Sequence, residues 1–416
     1  MSRSEKIIWV LFAGTSAQLT FQQPYLILAP GERTNLFAGL LCLLTLLAAL
    51  IWSRKDTLKL KHPEVLVSGV LLGLAVTSGW LNGFAASCRV FVLLASGLGG
   101  FWTARILLNT PVNLRRFEWL GMILLTGLIP VALASGFLAP TIGTFLNLNA
   151  HPLIDTLILL SFAPLAFLAE GSRHLRWWAV SLLASGYAVL CLSLVISGML
   201  IPLAALLAAG VLLRAVRPKH LILALIAGLL LIGLCYPKIP WVKLTGKMPY
   251  YVAYRLENYP FSWRIARQHP WFGIGVRTPR EEYLQDYRFI FPYTDQRKFA
   301  RQIRTDVTAD NTFITFVTGL GFPFVLIYSL ALVWLFGKLI RLTWRPPPGS
   351  SPAPLALLLP LAMALAHFQV YDGLLYPQNC WFFHVLLGLI PWRGQSLREP
   401  EPITPAPIRG LATEKS

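Results

Sequence analysis

Asp310 and Asn311 stand side by side in the stretch Thr-Ala-Asp-Asn-Thr-Phe, a carboxylate and an amide at the entrance of a long apolar run. A carboxylate there could take a proton from a hydroxyl, and the neighbouring amide could orient the reacting partner. The same pair has the chemistry of a helix cap, whose side-chain oxygen accepts orphan backbone N–H groups. Upstream, Arg264 and Arg267 lie one helical turn apart, so both guanidiniums can share a face and bind phosphate oxygens bidentately. Pairing with carboxylates of a neighbouring helix is the ordinary alternative. Arg297, Arg301 and Arg304 recur at helical spacing with Phe299 and Ile303 on other faces, which describes a basic amphipathic helix suited to anionic membrane lipids.

Further polar candidates sit at the margins of hydrophobic segments. His367 falls about one turn inside the end of such a segment, where an ionisable group is a functional candidate or a hydrogen-bonding link between helices. Asp372, His151 and Asp155 lie near segment boundaries, where water can reach them, and Asn379 and His384 are further outward-facing polar residues. Arg33 and Arg89 stand at two further ends and could serve anionic groups, with snorkelling to the membrane surface as the competing account.

The elements that must position these residues are overwhelmingly apolar. The chain has 416 residues, 56% of them hydrophobic and 13% charged, with a mean hydropathy of +0.61. Its repeated apolar runs of about 16 to 25 residues indicate an all-α polytopic membrane protein. The 14 Trp, 13 Tyr and 24 Phe suit interfacial belts, so aromatic richness alone does not point to a cofactor or nucleic acid. The formal charge of +18 is first explained by Lys and Arg retained on the cytoplasmic side, and no nucleic-acid partner is expected. Five cysteines are widely separated, without a CxxC or metal-like spacing, so neither disulfides nor a metal site is expected. No cofactor motif is present.

Twelve spans are expected, near residues 7–28, 36–52, 65–81, 89–108, 117–137, 153–170, 177–196, 198–213, 221–236, 311–336, 355–371 and 380–392. The pair meeting at Ser197-Gly198 can also be read as one interrupted segment. The first run lacks a small-residue cleavage site and reads as an uncleaved span. Connections carrying Arg54, Arg115, Arg173, Arg217 and Arg341 all fall on one side, which makes both termini cytoplasmic. The domain reading is therefore spans 1–9 over residues 1–236, a basic extracytoplasmic loop over 237–310, spans 10–12 over 311–392, and a disordered tail over 393–416. The loop accumulates Lys and Arg from Lys238 to Arg304 beyond what its carboxylates balance, and an anionic partner would explain them.

Within that loop, Arg-Leu-Glu-Asn-Tyr-Pro-Phe-Ser-Trp-Arg-Ile-Ala-Arg-Gln-His-Pro-Trp-Phe-Gly-Ile-Gly resembles the O-antigen ligase and O-antigen polymerase superfamily, in which an arginine helix leads into a His-Pro-x-x-Gly-x-Gly turn. The helix is expected to open at Pro260. The segment starting at Asp310-Asn311 is similar to the family's next span, and residues 366–392 resemble its closing pair. The resemblance implies transfer of a glycan from an undecaprenyl diphosphate carrier to an acceptor, lipid A-core for a ligase or another repeat for a polymerase, outside the cytoplasmic membrane. It implies no cofactor, since arginines would hold the diphosphate. By this resemblance Arg264 and Arg267 bind diphosphate, with Arg89 or Arg33 supplementing them, and Asp310 stands where the family usually has a histidine base. The family's Ser-Arg-Gly type turn appears as Ile196-Ser197-Gly198-Met199, without the arginine. A flippase for lipid-linked glycans and a non-catalytic assembly protein are the alternatives.

Overall fold

Long runs of Leu, Ala, Ile and Val satisfy their backbone groups internally only as helices when water is scarce. In the computed structural model, every regular element among the described residues is helical. The structure describes residues 3–25, 32–53, 63–142, 150–170, 172–192, 196–213, 222, 226–230, 250–278, 281–285, 288, 297, 299–300, 309–345 and 353–390. Arg301 and Arg304, the side chains of Arg33 and His151, and the tail after residue 392 lie outside the described residues.

The helices are α1 (Arg3–Tyr25), α2 (Glu32–Ser53), α3 (Pro63–Leu81), α4 (Phe84–Leu107), α5 (Pro111–Ile142), α6 (Ala150–Leu160), α7 (Phe162–Glu170), α8 (Arg173–Leu192) and α9 (Ile196–Leu213). They continue with α10 (Tyr250–Gln268), α11 (Thr312–Leu320), α12 (Phe322–Trp344), α13 (Ala353–His367) and α14 (Pro377–Gly388). Six helices among the described residues are long and apolar enough to cross a membrane by length and composition: α2, α3, α4, α5, α8 and α12. Leu66, Val76, Leu326, Leu330 and Val333 stand exposed on such helices, an apolar surface suited to lipid.

The chain differs from the expected pattern at three places. Residues 311–336 form two helices, α11 and α12, because Gly321 adopts φ 88° between them. α11 alone is too short to cross a membrane. Residues 153–170 are divided at Ser161 into α6 and α7. The loop helix begins at Tyr250, with Pro260 in its interior rather than at its start. Packing overrides the proline there: Tyr254, Phe261 and Ile265 of α10 form a small core with Phe299 and Ile274, on both sides of the missing N–H.

α4 is the central helix, packed against α2, α3 and α14. Glycine makes the closest approach possible: a Cβ on Gly100 would lie 2.8 Å from the Trp381 carbonyl oxygen, so only a hydrogen there lets α4 and α14 meet. Aromatic rings close the core across four helices, with Phe12 against Phe117 and Trp381 at 5.7 and 5.8 Å and Phe117 stacked on Phe162 at 4.6 Å. The ends of the bundle carry different chemistry. At one end Arg105 pairs with Glu64 at 3.0 Å, Arg115 with Glu118 at 2.7 Å and Arg116 with Glu5 at 3.7 Å. At the other, the end of α3, the starts of α4, α11 and α14, and the end of α13 gather around α10 and the turn after it.

Candidate functional site

The turn Pro270–Val276 is built by hydrogen bonds that reach outside the loop. Phe322 N donates to Pro270 O at 2.8 Å, Ile274 N to Thr318 O at 2.9 Å and Gly275 N to Gly319 O at 3.0 Å. Ser78 Oγ lies 2.6 Å from Phe272 O and 2.9 Å from Gly319 O. This lacing requires Gly273 and Gly275 at φ 63° and 87°, a region a side chain rarely adopts. Arg89 then donates to the carbonyls of Val276, at 3.3 Å, and Arg277. The expected role of Arg89 as an anion ligand thus meets a different geometry: its guanidinium holds the turn that presents Arg277.

Arg277 has φ 53°, and its guanidinium carbon lies 5.2 Å from the centre of the Tyr376 ring. Tyr376 stacks on Tyr371 at 5.5 Å, and Tyr371 lies 6.0 Å from the His367 ring. Nε of Arg277 is buried and makes no hydrogen bond among the described residues.

A second group surrounds the start of α11. Asn311 is the cap: its Oδ1 accepts from Phe313 N at 3.0 Å and Ile314 N at 3.1 Å, and its Nδ2 donates to Gln369 O at 2.9 Å. Asp310 precedes the cap at φ 50°. Its backbone N donates to Asp372 Oδ2 at 2.9 Å, and Thr315 Oγ1 donates to Asp372 Oδ1 at 2.6 Å. Asp372 is therefore a buried clamp with both oxygens engaged. The Asp310 carboxylate faces Arg255 Nε at 3.5 Å, an ion pair without an aligned hydrogen bond, and that buried Nε makes no hydrogen bond among the described residues. Arg255 also donates through its terminal nitrogen to Val370 O at 2.9 Å. Burial pushes the nearby Tyr259 phenol above its ordinary range, so it remains a donor at neutral pH. Asn311→Ala is expected to destabilise this region by about 1 kcal/mol through loss of both cap bonds, which denaturant unfolding of the detergent-solubilised protein measures.

Arg264 and Arg267 are exposed. At about 100° per residue they stand about 180° and 120° around α10 from Arg255, away from the Asp310 group. Exposed Trp263 and Trp271 accompany them, an arrangement fit for a membrane surface.

The third group centres on a fully buried pair. His367 Nδ1 lies 2.6 Å from Asp155 Oδ1, and His367 Nε2 lies 3.1 Å from Ser197 Oγ. Asn379 Nδ2 donates to the other Asp155 oxygen at 3.1 Å, and Thr156 Oγ1 donates to Asn379 Oδ1 at 3.0 Å. Asp155 and His367 are 0% exposed, whereas Ser197 is half-buried. Four helices supply this set: α6 gives Asp155, α9 gives Ser197, α13 gives His367 and α14 gives Asn379. When the imidazole is neutral and gives its Nδ1–H to the carboxylate, Nε2 is the acceptor and the serine hydroxyl donates. His384, by contrast, links Cys380 O at 2.7 Å to the Tyr328 hydroxyl at 3.2 Å inside the bundle.

Sequence reasoning named His367 and Asp155 singly and Ser197 only as part of a turn, and it counted Arg255 and Arg277 as loop charge. One readable cue for Arg277 was its place just after the two glycines. No family model matches this chain, and no curated protein matches it.

Proposed function

We propose that the protein is an O-antigen ligase-like glycosyltransferase of the cytoplasmic (inner) membrane, moving a glycan from undecaprenyl diphosphate to an acceptor such as lipid A-core on the outer face. Twelve spans with both termini cytoplasmic put the Arg105 end inside and the His367 end outside, in keeping with positive-inside charge. The observation that carries the proposal is a buried Asp–His pair connected through the stacked Tyr371 and Tyr376 rings to Arg277, whose Nε, like that of Arg255, makes no hydrogen bond among the described residues.

Glycosyl transfer asks for those two parts. The acceptor hydroxyl must lose a proton as its oxygen attacks the sugar's anomeric carbon, and the departing diphosphate must be stabilised. His367 is the base, reached from the less buried side through the Ser197 hydroxyl, and Asp155 is its positioning residue. Arg277 and Arg255 hold the diphosphate, while Arg264 and Arg267 on the outer face of α10 attract the anionic carrier. Asp310, expected as the base, instead supplies countercharge that orients Arg255. A flippase would use the cations but gives no role to a buried base, so the His367 pair favours chemistry.

The test uses full-length protein in nanodiscs with undecaprenyl diphosphate-linked glycan and a lipid A-core acceptor. The expected result is release of undecaprenyl diphosphate with formation of a glycosidic bond. Arg277→Ala and Arg255→Ala should each slow transfer about 10²-fold. Carrier translocation without bond formation would rule out a transferase. Growth of the lipid-linked chain in place of transfer to core would identify the polymerase.

A further inference from the structure

Ser197 holds a position that simple hydrogen bonding between helices does not require. A neutral amide could link α9 to α13, yet the structure buries a carboxylate and an imidazole to do it, a costly choice unless their proton chemistry is used. The order is Asp155 Oδ1, His367 Nδ1, His367 Nε2, Ser197 Oγ, at 2.6 and 3.1 Å. That is the relation in which an imidazole of fixed tautomer takes a hydroxyl proton and a serine becomes a nucleophile.

Two details support activation rather than mere contact. Asn379 donates to the far oxygen of Asp155 and is itself held by Thr156, which restrains the carboxylate from turning away from His367. Burial is also graded along the relay: the acid and imidazole are enclosed, and the serine alone is half-buried.

We propose that Ser197 is an acyl-accepting nucleophile, giving this site a second activity toward carboxylic esters. Ser197 Oγ attacks the ester carbonyl carbon as its proton passes to His367 Nε2. The new Oγ–C bond remains, the ester C–O bond breaks, and the alcohol leaves with the proton returned by His367. Water or a sugar hydroxyl then attacks the acyl carbon as His367 takes its proton, the Oγ–C bond breaks to release the acid or the sugar ester, and the proton returns from His367 to the Ser197 oxygen. No oxidant, metal or further reactant enters the balance.

The probe is an alkyl fluorophosphonate carrying a reporter, applied to full-length protein in nanodiscs, with peptide mass spectrometry locating the adduct. One adduct per chain on the Ser197 peptide is expected, absent in Ser197→Ala and formed about 10²-fold more slowly in His367→Gln. A p-nitrophenyl acyl ester should likewise give a burst of p-nitrophenolate and an acyl mass on Ser197 of the unaltered protein. Because both readouts use the unaltered chain, misfolding of a variant cannot imitate success. An unmodified Ser197, or labelling that persists at full rate in His367→Gln, overturns the proposal. Labelling without glycan transfer would uphold it while removing the transferase reading, and transfer with an inert Ser197 would do the reverse.

Discussion

On the proposed transferase reading, His367→Gln is expected to lower glycan transfer about 10²- to 10⁴-fold, the range for loss of a positioned general base, with little change in carrier binding. Glutamine preserves an amide near Asp155 and Ser197 but cannot take up a proton. Asp310→Asn is the informative comparison. Its backbone N–H would still reach Asp372, and its side chain would still face Arg255, so the expected loss is less than about tenfold. Initial rates at saturating carrier, with binding measured separately, distinguish the two. If Asp310→Asn is the more damaging change, the base belongs at the start of α11 and not at the end of α13.

Gly321→Ala is expected to prevent accumulation of folded protein. Gly321 has φ 88°, and a Cβ there would collide with the backbone carbonyl of Trp271. Two penalties coincide, since a left-handed conformation disfavours any side chain and the obstruction is backbone that cannot rotate aside. The displaced segment is the one that accepts from Phe322 N at Pro270 O and donates from Ile274 N to Thr318 O, so the turn carrying Arg277 would lose its seat. Monodisperse elution in detergent, compared with that of Gly337→Ala, checks this. A Cβ at Gly337 meets nothing within 4 Å, and that variant should behave as the unaltered protein does.

The membrane class was legible because run length and charge asymmetry are local properties. The helices of the first eight expected spans and of the closing pair fall where apolar runs fall. The break at Gly321 was less visible because Leu320 and Phe322 continue the apolar run, although Gly-Phe-Pro places a proline in the first turn of a new helix, a readable start signal. Pro260 misled in the opposite direction, since aromatic packing around Phe299 sustains α10 through it.

The site was harder to read for a physical reason. Helical periodicity shows which residues share a face of one helix, and nothing about which helices meet. Arg264 and Arg267 were conspicuous because they are one turn apart, yet the side chain of α10 that meets Asp310 is Arg255. His367 stood out as an ionisable group in an apolar segment, but its partners lie 212 and 170 residues away in sequence. At Asp310-Asn311 the cap reading holds for Asn311, while Asp310, expected as a candidate base, pairs with Arg255.

The bracing of Asp155 also sets a timetable for the protein's birth. Its two partners, His367 and Asn379, follow it by 212 and 224 residues. At about 5 to 20 residues per second, the ribosome needs about 10 to 40 s to supply them. During that interval α6 holds a carboxylate with neither partner yet made. The last hairpin, α13 and α14, therefore arrives as a keystone, and a nascent chain arrested before it would present an unsatisfied acid for quality control to detect.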